Sequence, residues 1–409
     1  MRARRWSMAA LLAVLGPGLL AGLSDDDPAG ITTYSILGAD HGYRLLWVLL
    51  VATLALIVFH ELGARMGVVT GQGLTGLIRE RYGVRVALMA MVVLVIANLG
   101  TTCAEFAGIA AGMELAGTPR WVSVPVAAAA VSLLVLRGGF RSVEHVLMVL
   151  ASVFAAYVVS AFLARPDWGA VGHGLVVPSM PLDRDGILIV TATVGTTLAP
   201  WGLAFIQSYA VDKRLSVRDL AYERADVVTG AALTGIIGVM VVVACAATLH
   251  ATGRSIEDAS DAAAALEPLA GGLASTLFGV GLVGSALLAA SILPMSTAYS
   301  VSEVLGREAA LDDRVRDAPV FYGTFGAVTV LAAGLVLIPG APLVPILYLT
   351  QALNAVLLLP LLVLITGICR DRHIMGDHAL GTRGTVVVSV TVALIAVCVA
   401  ALGVVSVLG

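Results

Sequence analysis

Apolar runs of membrane-spanning length recur along almost the whole chain, and they constrain the fold more than any other feature. A helix needs about 20 predominantly apolar residues to cross a bilayer. Eleven runs approach or exceed that length. Two are interrupted, Met8–Leu37 and Ile187–Tyr209. The others are Leu45–Phe59, Val86–Leu115, Trp121–Leu136, Val143–Leu163, Val227–Leu249, Leu273–Ser300, Val320–Ile338, Leu343–Thr366 and Thr385–Leu408. The second is short and extends at most to Gly63. Only 12% of the 409 residues are charged, about half the share usual in a soluble domain. So few charges cannot cover a surface of this size, and the solvent of most of the chain is lipid. The expected fold is an all-α integral membrane protein, a single transmembrane domain over residues 1–409.

A net charge of −3 points to no nucleic-acid partner. The four cysteines, Cys103, Cys245, Cys369 and Cys398, are isolated and outline no disulfide framework. Arg2, Arg4 and Arg5 precede an apolar stretch, as in a signal peptide. No A-x-A-like site follows, so the segment is expected to remain as a membrane helix.

The basic residues orient the chain. With eleven spans and the N-terminus inside, the inside segments hold 19 of the 24 Lys and Arg. Arg44, Arg120, Arg165, Arg184 and Arg254 fall outside. This is the asymmetry of the positive-inside rule, and it places the N-terminus in the cytoplasm of a plasma (inner) membrane. The longest inside polar stretch, about His60–Arg85, is too short for a domain and reads as an amphipathic surface helix with a basic face.

Two motif look-alikes are set aside. His60-Glu61-Leu62-Gly63-Ala64 begins like HExxH but lacks the second histidine. Gly71-Gln72-Gly73-Leu74-Thr75-Gly76 matches GxGxxG but follows a membrane helix with no βαβ unit around it. The seven histidines lie mostly near predicted helix ends and outline no intramembrane enzyme.

The two interruptions carry the functional signal. The first is Ser24-Asp25-Asp26-Asp27-Pro28-Ala29-Gly30. Pro28 lacks a backbone donor and disfavours helix at Asp27. Irregular backbone at membrane depth is tolerated only around a cavity or inside protein. A carboxylate there costs roughly 2.5–3.5 kcal/mol on insertion scales and is a functional candidate. The alternative ends the helix at Leu23 and puts the acids in an outside loop, which leaves Ile31–Leu37 as an unexplained apolar stub. The second interruption is Val194-Gly195-Thr196-Thr197-Leu198-Ala199-Pro200-Trp201-Gly202, where a simple proline kink is the alternative. The breaks fall in runs 1 and 6. Ten runs split as 1–5 and 6–10, so the breaks are equivalent, and an odd number per half inverts the second half. Paired interrupted helices point to the binding site of an inverted-repeat transporter. The helix C-termini and carbonyls at such breaks carry partial negative charge. With Asp25–Asp27 added, the site favours a cation.

These segments resemble the NRAMP divalent-metal transporters. The family's first helix carries a GPG leader and a DPGN motif; here Gly16-Pro17-Gly18 precedes Asp27-Pro28-Ala29-Gly30. Gly67-Val68-Val69-Thr70-Gly71 through Ile78-Arg79-Glu80-Arg81-Tyr82-Gly83 is similar to the loop between helices 2 and 3. Thr101-Thr102-Cys103-Ala104-Glu105-Phe106-Ala107-Gly108 is similar to the TDxAE stretch, and Gly139-Phe140-Arg141 and Thr350-Gln351 also fit. The resemblance covers residues 8 to about 370. It implies a LeuT-type inverted repeat with repeats of about 8–164 and 187–366, and an eleventh helix at 385–408. The metal residues it implies are Asp27, Gly30, Thr196, Ala199, Asp26 and Gln351.

Departures from the family are as informative. Its A-x-x-M-P-H motif reads Thr196-Thr197-Leu198-Ala199-Pro200-Trp201 here, so Ala199 replaces the metal-binding methionine and Trp201 a histidine. Gly30 replaces the asparagine ligand, Thr102 the helix 3 aspartate and Ile206 a second histidine. Thioether selects soft and borderline metals, whereas carboxylate, carbonyl and water suit magnesium, calcium and manganese. Mg²⁺ keeps several waters and binds through one or two carboxylates, and Asp25 and Asp26 suit its outer sphere. The expected cargo is therefore a hard divalent cation, Mg²⁺ first and Mn²⁺ second, moved without proton coupling because Glu105 stands alone as a relay. The alternatives are a proton-coupled Mn²⁺ or transition-metal symporter of the same family, a transporter of an organic amine held by Thr196 and Thr197, and a membrane sensor. The expected partners are the ion and the bilayer, with no resident cofactor and no obligate protein partner.

Overall fold

The computed structural model describes residues 17–137, 155–256, 259–263, 271, 274–307 and 314–408. Gly16, the start of the first run, Gly139-Phe140-Arg141, most of the fifth run and the loop acids Glu257, Asp258 and Glu267 lie outside them. Every regular element among the described residues is helical. The first run is two helices, α1 (Pro17–Ser24) and α2 (Pro28–His41). Then come α3 (Leu46–Thr70), α4 (Leu74–Tyr82), α5 (Val84–Leu115), α6 (Arg120–Arg137), α7 (Ala155–Leu163) and α8 (Trp168–Val176). The sixth run is again split, into α9 (Arg184–Thr197) and α10 (Pro200–Asp212). The remainder are α11 (Leu220–Thr248), α12 (Ala259–Ala263), α13 (Ala274–Val304), α14 (Pro319–Val336), α15 (Leu343–Arg370), α16 (Arg372–Met375) and α17 (Thr382–Leu408). Nine spans of the described residues are long and apolar enough to cross a membrane. They match runs two to four and six to eleven. The broken α1–α2 pair and α7 account for the first and fifth.

The second span is longer than its apolar run. It continues through His60–Thr70 because that stretch is flanked by protein rather than lipid: His60, Leu62, Gly63, Ala64, Met66, Gly67 and Val68 are all buried. The surface helix expected over His60–Arg85 is therefore only α4, which buries Leu74, Thr75, Leu77 and Ile78 and ends in Arg79 and Arg81.

The GxGxxG look-alike turns out to have a structural job. Thr75 lies at the second position of α4, where backbone N–H groups have no helical acceptor. Glu303, at the end of α13, supplies one: its Oε2 accepts the Thr75 N–H at 3.2 Å, and its Oε1 accepts the Ser208 hydroxyl at 2.6 Å. A methyl at Gly73 would lie 1.7 Å from Glu303 Oε1, so any side chain there must displace that carboxylate. One carboxylate thus ties α4, α10 and α13 together. These ends line a cavity of about 750 Å³ with Gln72, Asp212, Arg214 and Arg307. All of these residues belong to segments assigned to the same membrane side from the positive charges.

At the core, α1 lies on α11 backbone to backbone. A methyl at Gly22 would sit 2.5 Å from the Gly230 carbonyl carbon. Small residues permit such approaches where lipid offers no hydrophobic drive for association. Asp226 of α11 accepts the Gly18 N–H at 2.7 Å and the Leu19 N–H at 3.3 Å, and the Thr234 hydroxyl donates to the Gly22 carbonyl. α11 also packs along α2 and α3, α13 packs along α5, and α9 along α15. The broken helices are thereby held at the centre of the bundle.

Candidate functional site

Asp27 and Pro28 start α2 in the way their chemistry demands. Pro28 occupies the first helical position, where a missing N–H does no harm. Asp27 caps the helix, its backbone extended (φ −71°, ψ 172°) and its Oδ1 accepting the Gly30 N–H at 2.5 Å. Across from it, α9 ends at Thr197, and Leu198 and Ala199 leave the helix before Pro200 starts α10. Each half-helix entry begins with proline, and each break is buried: Asp25 is 1% exposed, Asp26 0% and Asp27 3%. The outside-loop alternative for the acids is thereby excluded. The second break is an interruption in which Ala199 is extended, at φ −71° and ψ 137°, and not a kinked continuous helix.

The breaks meet at Gly30. A methyl built there would lie 2.8 Å from the Asp25 carbonyl oxygen, 3.2 Å from Thr196 Oγ1 and 3.3 Å from Asp27 Oδ1. A backbone carbonyl, a hydroxyl and a carboxylate from both breaks therefore face the space that glycine leaves open. The Thr196 hydroxyl is buried with no hydrogen-bond partner, although buried polar groups are ordinarily paired. Glu105 of α5 is fully buried with its carboxyl group within hydrogen-bonding reach of that of Asp27, and no amide or hydroxyl of the described residues donates to it. This oxygen set suits a hard cation.

The other sequence candidates sit apart from this point. Asp26 is buried with neither carboxylate oxygen on a donor. Ala199 is buried, and its carbonyl accepts the Gly202 N–H at 3.2 Å. The Gln351 side chain belongs to a network on α15: it donates to Thr350 Oγ1 at 3.2 Å and accepts from Asn354 Nδ2 at 3.0 Å, while Asn354 donates to Thr101 Oγ1 of α5 at 2.9 Å. Trp201 is buried, and its carbonyl accepts the Ser296 hydroxyl at 3.0 Å. Among the described residues no three His, Cys, Asp or Glu groups converge. The three consecutive aspartates therefore do not aim at one point, because successive residues of a capped helix start face different directions. Asp25 reaches the Gly30 space through its carbonyl, not its carboxylate.

Sequence reasoning missed His60. It stands in the middle of α3, is 1% exposed, and its Nε2 would lie 3.1 Å from a methyl on Gly202. The signal was a histidine immediately after the apolar run Leu45–Phe59, within the extension to Gly63.

The chain matches the Nramp family, described as natural resistance-associated macrophage protein-like, over residues 18–405. It is 32% identical over 293 residues to the divalent metal cation transporter MntH of Burkholderia ambifaria, an alignment covering 69% of this chain and 66% of that protein. It is also 32% identical over 294 residues to MntH of Chromohalobacter salexigens, covering 68% of this chain and 67% of that protein. The aligned part thus spans about two thirds of these relatives. In fold the chain is similar to the Eremococcus coleocola manganese transporter bound to an aromatic bis-isothiourea compound, with TM-score 0.77 at 20% identity over 97% of this chain and 87% of that one. MhsT in complex with L-phenylalanine follows at TM-score 0.63 and 14% identity, over 98% of this chain and all of that one. The fold is the LeuT type that the family resemblance implies. With the match running over nearly its whole length, the chain belongs to the Nramp family.

Proposed function

We propose that this chain carries divalent metal cations across a membrane through the space between its two breaks. The observation that carries this reading is the convergence of the Asp27 carboxylate, the Asp25 carbonyl and the unpartnered Thr196 hydroxyl on the Gly30 gap. Buried carboxylates are costly alone and are stabilised by a cation. The relatives at 32% identity carry the name divalent metal cation transporter, which supports this wider reading.

Within that class, the family's Mn²⁺ or transition-metal alternative stands closer to these relatives than a preference for Mg²⁺. The Mg²⁺ reading keeps one specific support: Ala199 and Gly30 offer neither thioether nor amide at the gap. Mn²⁺ accepts the same oxygens. On coupling, Thr102, Trp201 and Ile206 offer no proton carrier, whereas Glu105 lies against Asp27 rather than alone. The second observation favours the proton-coupled alternative. We place the N-terminus in the cytoplasm, with Asp27, Gly30 and Thr196 facing the path.

The test is proteoliposomes loaded with a pH-sensitive dye, with Mn²⁺ influx driven by a potassium diffusion potential. Internal acidification that scales with Mn²⁺ and disappears in Glu105→Gln establishes coupling. Influx without acidification establishes the uncoupled reading. No divalent influx at all refutes transport.

A further inference from the structure

One residue of the first break faces two places at once. The carbonyl of Asp25 faces the Gly30 gap, and its carboxylate oxygen Oδ1 lies near Gly202 of α10. A methyl on Gly202 would lie 3.7 Å from Asp25 Oδ1 and 3.1 Å from His60 Nε2. Gly202 is the third residue of α10, and the space above its Cα is open because it has no side chain.

Two unpartnered groups meet there. Both Asp25 carboxylate oxygens are buried without a hydrogen-bond donor among the described residues. His60 is buried within a membrane span, and its Nδ1 has no partner either. No described residue therefore fixes the ring's tautomer, and in the Nδ1–H form Nε2 presents a lone pair toward Gly202. Neither group has a structural duty to explain it, yet leaving either buried and unpaired is unfavourable. A carboxylate and an imidazole with a lone pair to give are the ligand types of a first-row divalent cation.

We propose that the Asp25 carboxylate and His60 Nε2 form a second cation station, one step from the Gly30 gap and joined to it through Asp25 itself. The first station is oxygen only. The second adds a nitrogen, which favours Mn²⁺ and other transition-metal ions over Mg²⁺. An ion leaving Asp27 and Thr196 exchanges the Asp25 carbonyl for the Asp25 carboxylate and takes up His60, with waters completing its shell. His60 is then a specificity-determining ligand, in a position where a second histidine-free site would hold Mg²⁺ equally well. The inference rests on the divalent-cation reading above.

Mn²⁺ bound to the full-length protein in detergent tests it, using pulsed electron paramagnetic resonance to detect imidazole nitrogen on the metal. Wild type is expected to give nitrogen modulation. His60→Gln is expected to abolish it while Mn²⁺ still binds at the Asp27 station. Gly202→Ala, which puts a methyl where the ion would sit, is expected to do the same. Asp27→Asn is expected to retain the nitrogen signal. Bound Mn²⁺ without nitrogen modulation in wild type, or modulation that persists in His60→Gln, overturns the second station. Failure of Mn²⁺ to bind to any variant overturns the cation reading itself.

Discussion

The Tyr34 and Thr197 hydroxyls lie 2.9 Å apart and join the two broken helices side to side. Thr197 already donates its proton to the Thr193 carbonyl at 2.8 Å, so Tyr34 is the donor. The bond links α2 to the last residue of α9, so the two halves of the candidate site are held in register from outside the gap.

Tyr34→Phe keeps the ring and removes only this donor. Thr197 retains its bond to Thr193, so the expected loss is about 1 kcal/mol of stability. A small drop in the unfolding midpoint, with ion affinity changed less than the rate of transport, is the expected result. An affinity loss as large as that of a ligand variant would place Tyr34 in the ion's own shell.

Gly73 and Glu303 are coupled by contact. Gly73→Ala sets a methyl against the Glu303 carboxylate and should destabilise the protein by the hydrogen bonds that the carboxylate gives up as it moves, about 1–3 kcal/mol. Glu303→Gln leaves one buried donor without an acceptor, at a cost of about 1–3 kcal/mol. The double variant Gly73→Ala, Glu303→Ala should recover part of the loss from Gly73→Ala alone. Strict additivity in thermal unfolding would contradict the contact.

Orientation is checked by single cysteines in a background without the four native ones. Gly253 has φ +69°, which suits glycine, so the outside probe is better placed at the neighbouring exposed Thr252. Thr252→Cys should react with an impermeant thiol reagent added outside, and Ser216→Cys should not. The reverse labelling would invert the chain in its membrane.

Selectivity follows from the gap's chemistry. Ala199→Met with Gly30→Asn brings thioether and amide to the breaks and should raise Cd²⁺ and Mn²⁺ affinity relative to Mg²⁺. Any side chain at Gly30 must displace the Asp25 carbonyl, which lies 2.8 Å from the methyl position. Gly30→Ala alone should therefore weaken binding of every ion. An unchanged Mg²⁺/Cd²⁺ preference in the double variant means that the missing methionine does not discriminate.

Much of the fold was legible because a membrane makes apolar length diagnostic. Runs two to four and six to eleven each became a span, and Pro28 and Pro200 marked both breaks. The end of the second span was not legible. Past Phe59 its residues face protein, and polar His60 and Glu61 break the apolar pattern although the helix runs on to Thr70. Of the metal residues that the resemblance implies, the structure brings Asp27, Gly30 and Thr196 to one gap. What sequence withheld was direction. Three adjacent aspartates read as one acidic cluster, whereas the Asp25 carbonyl lies at Gly30 and its Oδ1 near Gly202.

The most direct measurement is uptake of Mn²⁺, Mg²⁺, Ca²⁺ and Cd²⁺ side by side in proteoliposomes, comparing wild type with Asp27→Asn. Asp27 supplies the carboxylate on the Gly30 gap and caps α2, and asparagine retains the capping oxygen but not the charge. Wild type is expected to take up divalent ions, Mn²⁺ foremost, and Asp27→Asn to lose at least about tenfold in uptake, equivalent to about 1.4 kcal/mol. Equal uptake by the two proteins, in a variant that melts like wild type, would contradict ion binding at the breaks.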